Sequence, residues 1–277
     1  LQADGKVVIG GGFKNVNGTA RSGIARLNSD GTLDASFMNN LAGIDWGPSG
    51  DSYSPVTSLL IQSDGKIIVG GQFNKVNSVD RKGIARLNPD GSLDTTFNPG
   101  SGVDVPNRIV QCLALEANGR IWAGGNFESF NGVLRNSVVR LNSDGSVDSG
   151  FSPSLENGQM VLSMALQSDG KLIVAGEFND PRPLVMRLNA DGSLDSSFRS
   201  PSIKSFSRIS SMAIQPDGKV LIGGGFVLNH GGVPYVGLAR INTDGSVDNS
   251  LALEVPIDFG RTSNDYGGVG AVALQPD

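Results

Sequence analysis

The chain has 277 residues, of which 38% are hydrophobic, and a formal charge of −5. An acidic chain without a basic stripe argues against nucleic acid, whose phosphates need clustered Lys and Arg, and no apolar run approaches the ~18–20 residues of a spanning helix. With one cysteine, Cys112, and one histidine, His230, there is no internal disulfide and no zinc site built from several such ligands.

Taken in chain order, one pattern recurs. The turn Asp-Gly-Lys stands at Asp4, Asp64, Asp169 and Asp217, Asn118-Gly-Arg is the third copy, and a partial copy stops at Asp277. The steps are 60, 54, 51, 48 and 60 residues, a period that signals propellers, solenoids or arrays. The first repeat opens on Val7-Val-Ile-Gly, and the second is the clearest. An apolar run over 56–61 precedes the turn at Asp64, a β-branched run over 66–73 follows, and a polar loop over 74–82 leads to a third run over 83–88. The turn Asn88-Pro-Asp-Gly91 then introduces Leu93 to Phe97. Four short strands, a to d, separated by Asp-Gly turns predict an antiparallel meander, the composition of a propeller blade.

The b strands recur at Val7, Ile67, Ile121, Leu172 and Val220, each followed by an aromatic: Phe13, Phe73, Phe127, Phe178 or Phe226. Strand d ends in Phe37, Phe97, Phe151 and Phe198, with Leu251 in the fifth copy. One aromatic per repeat at each place predicts core. Strand a has a small face (Ser58, Cys112, Ser163 and Ser211, then Leu60, Ala114, Ala165 and Ala213), which suits the crowded axis of a propeller. Cys112 fills a Ser/Ala slot there and is expected to be unreactive. The first repeat lacks a strand a, and 269–274 are expected to supply it beside 6–13. The fold expected is all-β: a five-bladed β-propeller of four-stranded antiparallel blades, one domain over 1–277, with the ring closed by its last strand. The rival reading is a window of a longer array, and the start at Leu1 without Met or signal peptide suits a mature or excised piece.

The units Leu-Gln-x-Asp-Gly-Lys, Gly-Gly-x-Phe, Ala-Arg-Leu-Asn-x-Asp-Gly-Ser-Leu-Asp and Ser-Phe resemble the delta-60 repeat, a bacterial β-propeller family with broadly kelch-like blades. The resemblance covers the whole chain. It implies a secreted or surface protein, extracellular, cell-surface or virion-borne, and bears on fold more than on function, because the family's biochemical role is mostly unassigned. The fourth repeat departs from the pattern at Asn179-Asp-Pro-Arg-Pro183, which shortens its b–c loop.

The c–d turns at Asn28, Asn88, Asn142, Asn189 and Asn242 space their oxygens like part of a calcium loop. Where a related propeller loop would open with an acid, this chain has Arg26, Arg86, Arg140, Arg187 or Arg240. A metal-free hairpin explains the turns, so no cofactor is expected, calcium being the alternative, and the Arg is expected to pair with the Asp34-type residue of its own blade. Gly10 to Gly12 follow a strand but no helix comes next, which discards a phosphate loop.

The a–b and c–d turns are nearly constant in length, whereas the b–c and d–a connections vary and lie at the same end of a meander. That end is expected to present function. The long d–a connections, 38–55 and 252–267, hold Trp46, Tyr53 and Tyr266, and the fifth b–c loop adds His230 and Tyr235. These aromatics are read as a recognition patch, the alternative being that they pack down their own loops. Counting back from each a–b turn places Asp51, Asp104, Glu156 and Asp265, with Lys204, at a channel mouth. The acids favour a neutral or cationic ligand, such as a glycan, or a protein partner. The function expected is a non-enzymatic binding or display module with no catalytic residue. The alternatives are a glycan-active hydrolase or lyase using paired carboxylates of the mouth, and an architectural segment of a large surface or phage-tail protein.

Overall fold

β-Branched runs closed by Asp-Gly turns become strands where expected, and every regular element among the described residues is a strand. The computed structural model describes residues 1–45, 55–104, 108–156, 159–178, 184–201, 208–230, 233–251 and 268–275. It divides into two compact units, Leu1–Ser149 and Gly150–Asp277.

In the first unit the first repeat supplies β1 (Val7–Gly10), the small hairpin β2 (Asn15–Val16) and β3 (Thr19–Ala20), and β4 (Ile24–Leu27). After β5 (Ile44–Asp45), the second repeat supplies β6 (Ser58–Ile61), β7 (Ile67–Gly70), β8 (Lys75–Val76), β9 (Val79–Asp80) and β10 (Ile84–Leu87). The third supplies β11 (Ile109–Leu115), β12 (Ile121–Asn126), β13 (Ser129–Phe130), β14 (Val133–Leu134) and β15 (Val138–Leu141). The main sheets are β1-β4, β6-β7-β10 and β11-β12-β15. The second unit repeats the plan with β16 (Met160–Leu166), β17 (Leu172–Glu177) and β18 (Val185–Leu188), then β19 (Arg208–Ile214), β20 (Val220–His230) and β21 (Val233–Ile241). All pairings are antiparallel.

Three expectations are corrected. First, the full sheets have three strands, a, b and c, and strand d shrinks to one bridge per repeat, such as Leu87 with Leu93. The Asp that follows turns the chain away. Asp94 Oδ1 accepts from the amide and hydroxyl of Thr96, and the Phe97 amide donates to the Asp94 carbonyl. Such local bonds compete with a ladder. Second, 269–274 form no strand among the described residues, and within the first unit β1 pairs with β4 alone. The Val269 amide donates instead to the Gly224 carbonyl (3.1 Å) and the Val272 amide to Ser211 Oγ (3.0 Å). The second bond copies that of the Met212 amide with Ser163 Oγ (3.0 Å), so 269–274 lie on the fifth sheet as β19 lies on the fourth. Third, the fifth b–c segment is strand rather than loop: past a register shift after Gly223, Val227 pairs with Val236, Leu228 with Tyr235 and His230 with Val233. Apolar residues flanking Gly231-Gly232 are a hairpin signal that outweighs a loop reading.

The core aromatics fall inside the sheets' packing. Phe37, Phe97 and Phe151 are fully buried, and Phe73, Phe127, Phe178 and Phe226 nearly so. Phe13 and Phe198 are half-buried. Strand a carries a bulge in three repeats, between Val110 and Cys112, Val161 and Ser163, and Ile209 and Ser211. The partner strand answers with Gly125, Gly176 and Gly224, where a Cβ would strike the carbonyl oxygen of Ile109, Met160 or Arg208. The bulge bends strand a toward its neighbour, and only glycine leaves room for the displaced carbonyl. Gly125→Ala should therefore destabilise the protein by about 1–3 kcal/mol in denaturant titration. Gly270→Ala, with open space at its Cβ, should cost well under half of that.

Candidate functional site

Each repeat has two ends, one formed by the a–b and c–d turns and one by the b–c and d–a connections. At the first, one carboxylate gathers the blade. Asp34 Oδ2 accepts from Lys6 Nζ (2.8 Å) and Arg26 Nε (2.8 Å), while Oδ1 accepts from the amide and hydroxyl of Ser36. The same pattern joins Asp94 to Lys66 and Arg86, Asp195 to Lys171 and Arg187, and Asp248 to Lys219 and Arg240. In the third repeat Arg120 stands for the Lys, 3.6 Å from Asp148, with Arg140 at 2.7 Å. The expected Arg–Asp pair is thus present in every repeat, and the Lys of the Asp-Gly-Lys turn, which sequence reasoning left unassigned, completes it. The guanidinium also lies over an aromatic ring: Arg26 over Phe37 (4.7 Å), Arg86 over Phe97 (5.0 Å), Arg140 over Trp122 (5.0 Å) and Arg187 over Phe198 (4.8 Å).

Burial alone would raise the Asp94 carboxyl. The bonds from Thr96, Lys66 and Arg86 outweigh it and hold the group well below the usual carboxylate range. For Asp195 the Lys171 bond is the leading cause of the same depression, and for Asp248 it is the Lys219 bond. These groups are ionised clasps, far from the protonation state of a general acid. A depressed folded pKa stabilises the protein above the unfolded value, about 4, and that stability is lost as pH falls further. Melting temperature should drop steadily below about pH 4. Asp94→Asn should cost about 3 kcal/mol near neutral pH, because it leaves two cations beside a neutral amide, and should flatten the acid limb of the profile.

The c–d turns close on themselves. Asp30 Oδ1 accepts from the amide and hydroxyl of Thr32, and Asn28 Nδ2 donates to that hydroxyl. Asp90, Asp144, Asp191 and Asp244 repeat the arrangement with Ser92, Ser146, Ser193 and Ser246. The bonds from the Ser or Thr hydroxyl and amide hold each of these carboxyls below its ordinary range. One oxygen of each carboxylate is thus committed to the turn, and an Arg occupies the place of a further acid. Thermal melting in calcium and in chelator should superimpose, and a calcium-dependent rise would mark the turns as ion sites.

At the other end, connections of one repeat clasp the hairpin of the next. β5 pairs with β8, which pairs with β9, so that the first d–a connection adds a strand to the second b–c hairpin. Asn77 and Ser78 turn that hairpin with positive φ (48° and 67°), as Asn17-Gly18 and Asn131-Gly132 turn theirs. In the third repeat the carboxylate of Asp104 takes the Ser101 hydroxyl (2.7 Å) and the Gly132 amide (2.7 Å), and Val103 bridges Phe130. Burial would raise the Asp104 carboxyl, but these bonds lower it. Beyond the clasp the hairpins expose apolar side chains: Val79, Val133 and Leu134, the last 67% accessible. The rarity of Trp and Tyr pointed to the aromatics and missed these residues. Their signal was the Asn-Gly or Asn-Ser step with β-branched or aliphatic residues after it.

Of the expected patch, Trp46, Tyr53 and Tyr266 lie outside the described residues, and for His230 the backbone alone is described, at the end of β20. Tyr235 is 4% accessible and packs in a core with Phe226 and Leu228. It is therefore no part of an exposed face, because its place on β21 turns it inward. Of the expected mouth, Asp51, Asp265 and Lys204 lie outside the described residues, Glu156 is exposed, and Asp104 serves the clasp just described. Cys112 is held in its slot, where burial pushes the thiol far up, away from reactivity.

The sequence matches the family described as "Domain of unknown function (DUF5122) beta-propeller" over residues 2–37, 62–97, 116–151, 167–198 and 215–251. No curated protein matches it. Among solved structures it is similar to the extracellular domain of BT4673 from B. thetaiotaomicron, described as a one-component system (TM-score 0.53, 14% identity). The match covers 87% of this chain and 26% of that one, so the chain spans about a quarter of that relative's length. It is also similar to XC5397 from Xanthomonas campestris, titled a gluconolactonase (TM-score 0.48, 15% identity, 81% of this chain and 66% of that one). PorZ of Porphyromonas gingivalis, titled a bacterial surface component of the type-IX secretion system, gives a TM-score of 0.47 at 16% identity, over 81% of this chain and 30% of that one.

Proposed function

The chain therefore belongs to this β-propeller family, and from that premise we propose that it is a non-enzymatic binding or display module of a secreted or surface protein. Each repeat is taken as one blade, and the end carrying the b–c hairpins and d–a connections is the working surface. The observation that carries the reading is the contrast between the two ends. The turn end spends its carboxylates on its own amides, hydroxyls and cations. The hairpin end is braced by strand pairing from the preceding repeat, yet leaves Val79, Val133 and Leu134 in solvent. Apolar side chains held out on a rigid backbone offer contact area at little entropic cost. Trp46, Tyr53 and Tyr266 belong in sequence to the d–a connections and are proposed for the same surface. The likeness in fold to an extracellular domain supports the location.

A glycan array, followed by titration of the hits, tests the reading. Val133→Asp with Leu134→Asp should weaken binding by roughly 1–3 kcal/mol, as should Trp46→Ala and Tyr266→Ala singly. The melting temperature of the hairpin variant should stay near that of the parent, since exposed substitutions of this kind change stability by roughly 0.5 kcal/mol or less. Asp64→Ala, at the opposite end, should leave selectivity unchanged. Binding that survives the hairpin variants, or turnover of a bound glycan, would overturn the proposal.

A further inference from the structure

Each complete a–b turn carries one carboxylate, in one of two arrangements. Four of the turns read Gln-x-Asp-Gly-Lys, from Gln2, Gln62, Gln167 and Gln215, and the third repeat reads Glu116-Ala-Asn118-Gly-Arg120. Acid and amide have changed places. In the four, the Asp Oδ1 accepts from the amide of the Lys two residues on (3.0–3.1 Å). Asn118 Oδ1 takes the same bond from the Arg120 amide (3.0 Å), and Asn118 Nδ2 donates to Glu116 Oε2 (2.9 Å). The other oxygen, Glu116 Oε1, holds the indole N–H of the fully buried Trp122 (2.8 Å). The carboxamide thus ties Glu116 to its turn, where an Asp would set a second carboxylate against it.

Asn118 is followed by glycine, which has no Cβ to shield its backbone nitrogen. Carboxamide and nitrogen belong to one short segment, so they meet without diffusion. Two bonds already act on the carboxamide. The Arg120 amide polarises its C=O and stands where negative charge builds on Oδ1 during attack. Glu116 accepts from the nitrogen that must leave and is placed to exchange a proton with it. Residue 118 is exposed, so water reaches it. The Gly119 amide donates only to a neutral carbonyl, that of Glu116 (2.9 Å). Another Asn-Gly step, Asn131-Gly132, is held differently. There the Gly132 amide is bound to the Asp104 carboxylate (2.7 Å), the Asn131 amide to the Gly102 carbonyl (2.7 Å), and Asn131 Oδ1 takes the Ser101 amide (3.1 Å). A carboxylate against the attacking nitrogen opposes the loss of its proton.

We propose that Asn118 is a site of covalent self-modification, read out at Trp122. The Gly119 nitrogen attacks Asn118 Cγ. The N–Cγ bond forms, the Cγ–Nδ2 bond breaks, and the amide proton leaves with Nδ2 as ammonia. Water then opens the cyclic imide at either carbonyl and leaves Asp or isoaspartate at 118, with nothing oxidised or reduced. Asp is the residue of the other four turns, but here Glu116 still stands beside it, so the group that holds the indole is repelled from its place. Isoaspartate lengthens the backbone of the turn and upsets the register of Leu115 with Ile121, the pair that follows it. Either product is felt at Trp122.

The full chain is aged in warm, mildly alkaline buffer and mapped peptide by peptide by mass spectrometry. Asn118 should convert roughly tenfold faster than Asn131, because a bond to a charged acceptor is harder to release than one to a carbonyl. In a Trp46→Phe background, where Trp122 is the one indole left, the emission should shift as conversion proceeds. Asn118→Asp should show the shifted emission from the start. Asn118→Asp with Glu116→Gln, the pairing of the other four turns, should return it to the parent position. Peptide mapping of the parent needs no variant, so it decides alone should a variant fail to fold. Conversion at Asn118 no faster than at Asn131 overturns the proposal, as does an Asn118→Asp emission that matches the parent's.

Discussion

Everything in this chain leans on a carboxylate that two cations share. In each repeat an Asp past the c–d turn receives the Arg of strand c and the cation of the a–b turn. The Lys stands 24–29 positions before its Asp in four of the repeats, at the start of the central strand b, and the Arg lies on the neighbouring strand c. Fixing them at one point aligns both turns at one end of the blade. The planar guanidinium then has faces and edges to spare: one face for the aromatic ring, one edge for the next repeat. Lysine could not take that role, since it has no flat face and no fork of donors. A single residue type thus links burial, charge and the joining of repeats.

The strands were legible because they are local. β-Branched runs between Asp-Gly turns identify a, b and c, and one Phe per repeat identifies the core, as buried Phe37, Phe97 and Phe151 show. Strand d was read as a strand from Leu93 and Phe97. Its fate depended on Asp94, whose side chain captures the amide two residues on and ends the ladder after one bridge. Tyr235 was read by rarity, yet its alternation with Ala239 and Ile241 on one strand face marks it as inward, and it is buried with them. The pairing of β5 with β8 joins segments of different repeats, and no spacing within a repeat encodes it. The constant and varied connections were separable by counting alone, and that distinction agrees with what the two ends are made of.

The two ends answer different physical demands. At the turn end the Asp carboxylates find partners within their own turn or on the cations of their own repeat, so substitution there is felt as lost stability. At the hairpin end, backbone pairing does the holding and leaves side chains free. Val133 and Leu134 can change without disturbing the bonds between Asp104 and the Gly132 amide. A scaffold built this way separates the residues that keep it folded from those that can vary.

The third repeat shows what this modularity allows when a blade drifts. Its b strand holds Trp122 where other repeats hold an aliphatic residue, and the indole N–H donates to Glu116 Oε1 (2.8 Å). In the other complete turns the position of Glu116 is Gln2, Gln62, Gln167 or Gln215, whose buried Oε1 has no partner among the described residues. The unpartnered Gln oxygen of those repeats is itself an acceptor at the place where Glu116 receives the indole, so an indole could enter their b strands without leaving its N–H unbonded, and the same turn tolerates an aliphatic or an aromatic neighbour.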